Sequence, residues 1–514
     1  MKRYTLLLTT VFALCLLSQY SLSQISEGGQ PMSFSLDVEK EKIPVLVMPP
    51  VDVKTLIQED EKASMGNIQI PFRFGYALSV NIDVKKDGMQ KELPNGDNLW
   101  LLKIHSSDAF SINLIYDHFR LGKDSKFFIY NEDKTMILGA FTPETSNNPY
   151  NEFATDLVQG NTIVLEYYEP KSSNDGIINI SKVIHGYINT FSDYSKGLGG
   201  SANCNIDVNC PLGIDWDNEK RAVSMILVNE NTAFCTGCLV NNTQQNFVPY
   251  YLTANHCLSG NTNTWIFRFR YWRPNCPPVI VNPSGWVSIT GADIRANHAA
   301  TDFALLELST IPPADFNVYY AGWDRSATPA QSATGIHHPK GDAMKICHEE
   351  HPVVAVSWVS GAQNHWRVRH FEQGIAQHGS SGSPLFNQNH RIVGQLHGNQ
   401  DDLCQKDDNP CYCKQTPIGE YGRFDISWTG GGTDATRLSN WLDPNNTGVL
   451  VLDGCRTAFT NRTVALSRTV VGCDDLEVGD ITVSNNAKLT LEAAGSVILT
   501  GDLDLALGTV LEIQ

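Results

Sequence analysis

The segment GSSGSP at residues 379–384 holds the side chains most suited to covalent chemistry. A serine becomes a nucleophile when a base takes its proton, a third group orients that base, and backbone N–H groups stabilise the oxyanion. Small residues beside the serine let a substrate carbonyl approach the backbone. The arrangement G-x-S-G-x-P singles out Ser381, although short turns of glycine, serine and proline are also common in ordinary loops.

Two upstream segments supply the partners that such a serine needs. The stretch YLTANHC (251–257) is an apolar strand that ends at His256, and TDFALLEL (301–308) begins with Asp302 before another apolar strand. Taken singly, the histidine is an ordinary surface or core residue and the aspartate a polar cap of a strand. Their joint occurrence in the order His, Asp, Ser predicts a catalytic triad with Ser381.

Length and composition limit what surrounds these residues. A chain of 514 residues is too long for one core and predicts about three domains at roughly 150 residues each. Its 42% hydrophobic and 18% charged residues are typical of a globular protein. A net charge of −17 without a basic block argues against nucleic acid or an anionic membrane as the main partner.

The first residues read as a targeting signal. Lys2 and Arg3 precede an apolar run to about Leu17, and small residues follow at a spacing that suits cleavage. We therefore predict a signal peptide over 1–23, a mature chain from about Gln24, and a secreted protein, extracellular or at the cell surface. No later run is apolar and long enough to span a bilayer.

The remaining chain divides into three parts. Residues 24–198 lack cysteine and carry β-type runs such as LWLLKIH (99–105), which predict a β-sandwich. Residues 199–455 combine short strands with many cysteines, tryptophans and glycines. Residues 456–514 alternate apolar and polar positions with a turn about every ten residues, which predicts a small β-solenoid-like tail that could attach the protein to the cell surface.

The cysteines indicate disulfides. Of 13 cysteines, Cys15 lies in the predicted signal, and the other twelve all follow residue 200. In an exported protein this distribution predicts a disulfide framework in the second half. The pairs Cys235 with Cys238 and Cys411 with Cys413 leave a zinc site as the competing interpretation, but no second pair recurs at finger or ribbon spacing, and we expect no metal.

Residues 199–455 resemble the chymotrypsin-fold serine peptidases, and among them the bacterial lysyl endopeptidases. The matching segments are CNIDVNC (204–210), CTGCLVNNT (235–243), LTANHC (252–257), DFALLEL (302–308), AGWDR (321–325), IHHP (336–339), GSSGSP (379–384), GQLHG (394–398) and the residues from YGR to RLSNWLDP (421–444). The resemblance implies a mostly β chain with a double β-barrel, protein or peptide substrates, and no cofactor.

The resemblance also implies roles. His256 would be the general base, Asp302 its orienting carboxylate and Ser381 the nucleophile, with the N–H groups of Gly379 and Ser381 as oxyanion hole. The disulfides it implies are Cys235–Cys257, Cys210–Cys276 and Cys204–Cys404. Six cysteines have no counterpart in these families: Cys238, Cys347, Cys411, Cys413, Cys455 and Cys473. Their positions alone suggest that Cys455 pairs with Cys473.

The position before the nucleophile departs from many chymotrypsin-like enzymes. There an aspartate binds the N-terminal amine freed on activation, whereas Ser380 cannot form that ion pair. We therefore expect residues 24–198 to act as a prodomain that aids folding or covers the cleft, with a cut near Lys196 and Gly197 in the Gly- and Ser-rich segment 192–203.

The residues at the expected specificity pocket also differ from those of trypsin-like enzymes and lysyl endopeptidases. A basic P1 side chain needs a buried carboxylate, but the trypsin-like position holds Ile375 and the lysyl endopeptidase position holds Gly419. Glu420 is one residue away, where a strand turns its side chain to the opposite face. The inserted loop 401–419 adds further acids, Asp407 and Asp408. A lysine P1 and an apolar or small P1 both stay open.

Other residues are expected near the substrate. The resemblance matches Trp358 and His397 to a stacked indole–imidazole pair, and residues 394–398, ending at Gly398, would pair with an extended substrate as an edge strand. The motif HEEH (348–351) lacks the spacing of a zinc metallopeptidase helix. The alternative to an enzyme is a catalytically silent, protease-like binding or adhesion module.

Overall fold

The computed structural model describes residues 26–36, 42–64, 71–191, 200–229, 232–277, 281–358, 361–398, 419–493 and 495–514. The predicted signal peptide, the predicted cut near Lys196 and the loop over residues 401–418 lie outside the described residues. The described chain is mostly β, as predicted, and its strands form five sheets. Among its described helices, Val53–Ser64 is the longest, and the shorter ones are Val84–Asp87, Pro143–Ser146, Phe424–Thr429 and Ser439–Leu442.

The N-terminal part folds into two sheets that share one apolar core. One sheet has six strands: Val45–Val47, Met89–Glu92, Asn98–His105, Lys126–Asn131, Ile137–Phe141 and Thr162–Glu169. The other has five: Gly75–Asp83, Ser111–Arg120, Phe153–Ala154, Val158–Gln159 and Ile177–Gly186. Side chains of both sheets, such as Leu102 and Leu114, are fully buried in the same cluster. Packing of the two sheets removes the apolar side chains of both sheets from water, and this burial stabilises the strands.

The middle of the chain forms two barrel-like sheets, as predicted. The first has eight strands: Phe72–Arg73, Val223–Val228, Ala233–Leu239, Tyr250–Ala254, Ile266–Phe269, Val287–Thr290, Ala292–His298 and Phe303–Leu308. The second has ten: Ile206–Asp207, Trp323–Asp324, Ala333–His337, Lys345–Glu349, Val354–Val356, His365–Val368, Pro384–Asn387, Ile392–Gly398, Gly419–Arg423 and Val451–Leu452. His256 and Asp302 flank strands of the first sheet, and Ser381 precedes a strand of the second.

The C-terminal strands stack in parallel. They are Cys455–Val464, Arg468–Val483, Lys488–Glu492, Val497–Leu499, Leu503–Leu505 and Val510–Ile513, with Tyr319–Tyr320 joining them from the preceding part. Partners in the later strands lie 21 or 22 residues apart, as in Arg468 with Leu489 and Ile481 with Leu503, whereas the first two strands pair at shorter separations, as in Val464 with Val483. Each turn of chain therefore lies on the one before, and apolar residues such as Leu489 fill the interior.

The N-terminal part packs against the first barrel-like sheet. The strand Phe72–Arg73 pairs with the strand Ala233–Leu239, and Phe74 stacks on Phe234 at 4.4 Å between ring centroids. A buried ion pair crosses the same contact, where Arg268 Nε lies 3.0 Å from Asp156 Oδ2 and its side chain has no exposed surface. The two parts thus bury apolar and charged groups against each other.

Candidate active site

His256 and Asp302 form a close pair at the ends of two adjacent strands. The strand Tyr250–Ala254 pairs with Phe303–Leu308, and Ala254 lies opposite Phe303. The chain turns directly after the first strand and directly before the second. This register therefore brings His256 Nδ1 to 2.7 Å from Asp302 Oδ2.

The backbone holds this pair in one orientation. The N–H of His256 donates to Asp302 Oδ1 at 2.9 Å, and the N–H of Asn255 donates to the Asp302 carbonyl at 2.7 Å. Because a carboxylate only accepts, Nδ1 of His256 carries a proton, and the lone pair of the neutral ring is then on Nε2. Among the described residues, Nε2 has no hydrogen-bond partner. Burial raises the pKa of Asp302 above its usual value, and the His256 imidazole opposes that rise.

Ser381 lies on the turn before the strand Pro384–Asn387. Its carbonyl accepts a hydrogen bond from the N–H of Thr236 at 2.8 Å and lies 3.9 Å from Cys257 Sγ. Thr236 follows Cys235, which is bonded to Cys257, the neighbour of His256. A single disulfide therefore connects the turn that carries His256 to the strand that anchors Ser381.

The loop around Ser381 requires two glycines. Gly379 and Gly382 have φ values of +89° and +83°, and a Cβ on Gly379 would lie 2.8 Å from the backbone N of Lys340. The carbonyl of Gly379 accepts a hydrogen bond from Thr236 Oγ1 at 2.8 Å. Within the described part of the chain, the N–H groups of Gly379 and Ser381 donate to no protein acceptor. Two backbone donors are thus available to an external oxygen.

Ser380 has a neutral partner in place of an ion pair. Its hydroxyl is buried 2.6 Å from His337 Nδ1, and the N–H of Gln377 lies 3.4 Å from the same oxygen. Burial lowers the pKa of His337 to about 3, so its ring stays neutral. The Gln377 side chain accepts hydrogen bonds from the Ala202 N–H at 2.9 Å and from Asn205 at 2.8 Å. The segment after the predicted cut therefore contacts the loop that leads to Ser381.

Trp358 and His397 stack beside His256. The Trp358 and His397 rings lie 3.6 Å apart, the His397 and His256 rings lie 5.7 Å apart, and His397 Nε2 is 3.7 Å from Asp302 Oδ2. Burial lowers the pKa of His397 to about 2. The structure thus brings together both predicted aromatic residues and the His–Asp pair.

A hydrogen-bonded chain that the motifs did not reveal orients His397. Asn364 Nδ2 donates to the Ala300 carbonyl, so its Oδ1 accepts from His365 Nδ1 at 2.8 Å. His365 Nε2 then accepts from His397 Nδ1 at 3.0 Å. The tautomer of His397 is therefore set by Asn364, through the ring of His365. No local sequence signal marks this asparagine.

Glu420 is fully buried and paired. The strands His365–Val368 and Gly419–Arg423 are neighbours, and Arg367 lies opposite Glu420. Arg367 Nε lies 2.7 Å from Glu420 Oε1. The Glu420 carboxylate, which could otherwise bind the lysine side chain of a substrate, is thus already paired with Arg367.

The other residues of the predicted pocket are apolar or lack a side chain. Gly419 pairs with Val368, and a Cβ there would lie 2.9 Å from the Tyr421 ring. Ile375 is buried, with 8% of its surface exposed. Asp407 and Asp408 lie outside the described residues.

The predicted edge strand is wrong for part of its length. Gly394 and Gln395 pair with Leu385 and Pro384 on one side and with Arg423 and Gly422 on the other. The strand Ile392–Gly398 therefore lies inside the sheet at these positions. Two-sided pairing leaves them no hydrogen bonds for a substrate strand. Gly398 lies beyond Gly394 and Gln395, at the end of the same strand, and pairs with Glu420.

The cysteines follow the predicted pairing where they are described. Cys210–Cys276, Cys235–Cys257 and Cys455–Cys473 are disulfides. Cys204 is also in a disulfide, and its predicted partner Cys404 lies outside the described residues, as do Cys411 and Cys413. The bond of Cys235 to Cys257 is incompatible with a zinc site at Cys235 and Cys238. Cys238 and Cys347 are buried free thiols, so the disulfide framework is not complete.

In the described part of the chain, two groups of side chains have donor atoms close enough to share a metal ion. One is His256, Asp302 and His397, and the other is Glu349, His370 and Glu372, each with its donor atoms within 4.8 Å of one another. The first group coincides with the His–Asp pair, whose hydrogen bonds already use the carboxylate. In the second, His351 Nδ1 lies 3.0 Å from Glu349 and 2.9 Å from Glu372, which places a histidine between the carboxylates.

Comparisons with known proteins match part of this chain to the lysyl endopeptidases. The family model described as lysyl endopeptidase, C-terminal domain, matches residues 198–412. The lysyl endopeptidase of Pseudomonas aeruginosa is 29% identical over 291 residues, which are 52% of this chain and 58% of that protein. The chain thus spans less than two thirds of the length of this relative.

The solved structures that match part of this chain include two bacterial proteases. The serine endoprotease from Yersinia pestis is 15% identical, with a TM-score of 0.27 over 40% of this chain and 60% of that chain. The MamO protease domain from Magnetospirillum magneticum is 12% identical, with a TM-score of 0.27 over 41% of this chain and 96% of that chain.

Proposed function

We propose that this chain, a chymotrypsin-fold serine peptidase similar to the lysyl endopeptidases, hydrolyses peptide bonds in proteins through an acyl-enzyme. The observation that carries the proposal is the contact of 2.7 Å between His256 Nδ1 and Asp302 Oδ2, which assigns the proton of the neutral imidazole to Nδ1. A neutral imidazole with its Nε2 lone pair free is the form that accepts a proton from a serine hydroxyl.

The proposed reaction uses three side chains and two backbone groups. Nε2 of His256 takes the proton of Ser381 as the hydroxyl oxygen attacks the substrate carbonyl. Asp302 stabilises the imidazolium that forms, and it stays ionised. The N–H groups of Gly379 and Ser381 stabilise the oxyanion, and the imidazolium then gives its proton to the leaving amine. Water releases the acyl group by the same steps, with His256 again as base.

The proposed specificity is an uncharged P1 side chain. Glu420 is matched by Arg367 at 2.7 Å, Ile375 is apolar, and Gly419 carries no side chain. A lysine at P1 would then find no unpaired carboxylate at Ile375, Gly419 or Glu420. Lysine specificity in this chain would require an acid of the segment over residues 399–418.

The N-terminal part is proposed as a prodomain that assists folding. Its contact with the first barrel-like sheet includes the buried Asp156–Arg268 pair and the Phe74–Phe234 stack. Among the described residues, no hydrogen bond or ion pair joins it to His256, Asp302 or Ser381. This favours a role in building the sheet over a role as a plug of the cleft.

Export is proposed from the chemistry of the chain. The charged and apolar start of the sequence has the form of a signal peptide, and disulfides such as Cys210–Cys276 persist in oxidising surroundings. No described helix has the length and apolar character needed to cross a membrane.

Peptidase activity tests the proposed function directly. Purified, matured protein should degrade a denatured protein substrate, Ser381→Ala should lose at least about 1,000-fold in kcat/KM, and Ser326→Ala should retain the activity. Equal activity of the Ser381→Ala protein would refute the proposed nucleophile. Inactivity of every form, with intact folding, would favour the silent binding module.

A further inference from the structure

Five cationic side chains surround one carboxylate at the contact between the second barrel-like sheet and the C-terminal strands. Asp217 is the shared carboxylate, and its oxygens lie 3.1 to 3.6 Å from the nitrogens of all five. We call this set the cation cluster: Lys220, Arg221, Arg456, Arg462 and Arg468. With one negative charge among five positive ones, the cluster carries a local excess of four positive charges.

The cluster has too few acceptors for its donors. Besides Asp217, the Asn218 side-chain oxygen accepts from Arg456 Nε at 3.1 Å and from Arg468 Nη2 at 3.3 Å, and Asn209 Oδ1 accepts from Lys220 Nζ at 2.9 Å. A guanidinium has five N–H donors. Within the cluster, four buried guanidinium nitrogens have no hydrogen-bond partner among the described residues: Nε of Arg221, Nη1 of Arg456, Nη2 of Arg462 and Nε of Arg468.

Burial makes this shortage costly. The side chains of Arg221 and Arg456 are 8% and 1% exposed. Buried charged groups are normally paired and fully hydrogen-bonded, because desolvation of an unpaired ion costs several kcal/mol. Burial, reinforced by the neighbouring arginines, lowers the pKa of Arg456 to about 10. The cluster therefore favours a further negative group.

The cluster opens into a cavity of about 1010 Å³. Lys220, Arg221, Arg462 and Arg468 line it, together with the rings of Trp272 and Phe459. The other acidic residues that line the cavity do not pair with the cation cluster. Glu219 is paired with His390 at 3.2 Å, Asp453 is paired with Arg391 at 2.8 Å, and Asp215 is exposed.

We propose that this cavity binds an organic phosphate or sulfate ester, with the oxyanion held by the cation cluster. Guanidinium forks match tetrahedral oxyanions because parallel N–H groups reach two oxygens at once. The volume exceeds that of a bare oxyanion, and the apolar side chains of Ile214, Val464 and Leu466 in the lining give the organic part an apolar surface. The ligand would contact both the barrel segment and the C-terminal strands.

Titration of the full chain with inorganic phosphate and with sulfate tests the site. The Ser381→Ala protein, which does not digest itself, is used at constant ionic strength with chloride as the reference. Phosphate or sulfate should bind with one saturable site and raise the unfolding temperature more than chloride does. Glycerol 3-phosphate and a sulfated monosaccharide then distinguish the two esters, and the tighter one identifies the class.

Three variants separate binding from structural support. Arg462→Gln with Arg468→Gln should weaken phosphate or sulfate binding about 100-fold, whereas the control pair Arg295→Gln with Arg437→Gln should leave it unchanged. Asp217→Asn removes the competing carboxylate and should tighten anion binding. The proposal is overturned when neither anion exceeds chloride, when the first double variant binds as tightly as the parent, or when Asp217→Asn weakens binding.

Discussion

Arg367 and Glu420 face each other on neighbouring strands, with Arg367 Nε 2.7 Å from Glu420 Oε1 and the glutamate side chain fully buried. The acid nearest to the expected lysine-binding position is therefore bound to an arginine of the same sheet. The family resemblance matches Gly419 to that position, and the pairing with Arg367 gives Glu420 a role within the sheet.

Glu420→Gln separates a structural role from a substrate role. We expect the P1 preference to stay the same, and the free energy of unfolding to fall by about 1–3 kcal/mol because Arg367 loses its partner. Cleavage profiles on a peptide mixture and urea unfolding measure the two effects. A selective loss of cleavage after lysine would instead assign Glu420 to the P1 pocket.

The disulfide Cys235–Cys257 should matter to catalysis as well as to stability. Replacing both cysteines with alanine should lower stability by about 2–4 kcal/mol and lower kcat/KM at least about tenfold, because Cys257 adjoins His256. The matched control is Cys455–Cys473, which closes a loop of similar length, 18 against 22 residues. Its removal should lower stability and leave kcat/KM within about twofold; an equal loss of activity in both would argue against the link to His256.

Acid should destabilise the protein between about pH 6.5 and pH 4. Burial lowers the pKa of His337 to about 3, of His338 and His365 to about 4, and of His397 to about 2. These rings are neutral in the fold, while the unfolded chain protonates near pH 6.5. Their stabilisation is thus present above pH 6.5 and is lost as the pH falls, by about 1.4 kcal/mol per pH unit for each ring.

Urea unfolding of the Ser381→Ala protein at pH 8, 6 and 5 measures this loss. His365→Phe should reduce the pH dependence because one of the four titrating rings is gone. A stability that stays constant from pH 8 to pH 5 would contradict the buried, neutral state of these histidines.

The N-terminal part should remain bound after cleavage near Lys196. Arg268 is buried against Asp156, and the bond of Ser288 Oγ to the same carboxylate at 2.7 Å adds to the contact. Wild-type fragments should coelute in size-exclusion chromatography. Asp156→Asn should release the N-terminal fragment because it leaves Arg268 without a charged partner.

Asp117→Asn is the matched control for this experiment. Asp117 belongs to the same N-terminal sheets and is half-exposed, away from the contact with Arg268. This variant should coelute as the wild type does. Separation of the wild-type fragments would show that the interface does not hold the parts together.

Short motifs predicted the sites that depend on local sequence. His256 ends an apolar strand, Asp302 begins one, and Ser381 lies in a turn of small residues, so each motif could be recognised without knowledge of the others. The β-rich architecture followed in the same way from apolar runs punctuated by glycine, proline, asparagine and aspartate. The site motifs and the strand pattern each depend on only a few neighbouring residues.

Pairings between distant residues could not be predicted. Arg367 meets Glu420 and Asp217 meets Arg456 only because the sheets bring them together, and neither pair shares a motif. The even number of cysteines suggested a complete disulfide framework, yet Cys238 and Cys347 are buried thiols, because free cysteine packs as a small apolar side chain. The edge-strand prediction failed at Gly394 because sheet neighbours come from remote parts of the chain.

Covalent labelling tests the central claim, that Ser381 is activated by His256. Matured protein is treated with a fluorophosphonate, digested and analysed by mass spectrometry. We predict one adduct, on Ser381, which is absent from His256→Ala. An adduct on another serine, or undiminished labelling of Ser381 in His256→Ala, would contradict the account.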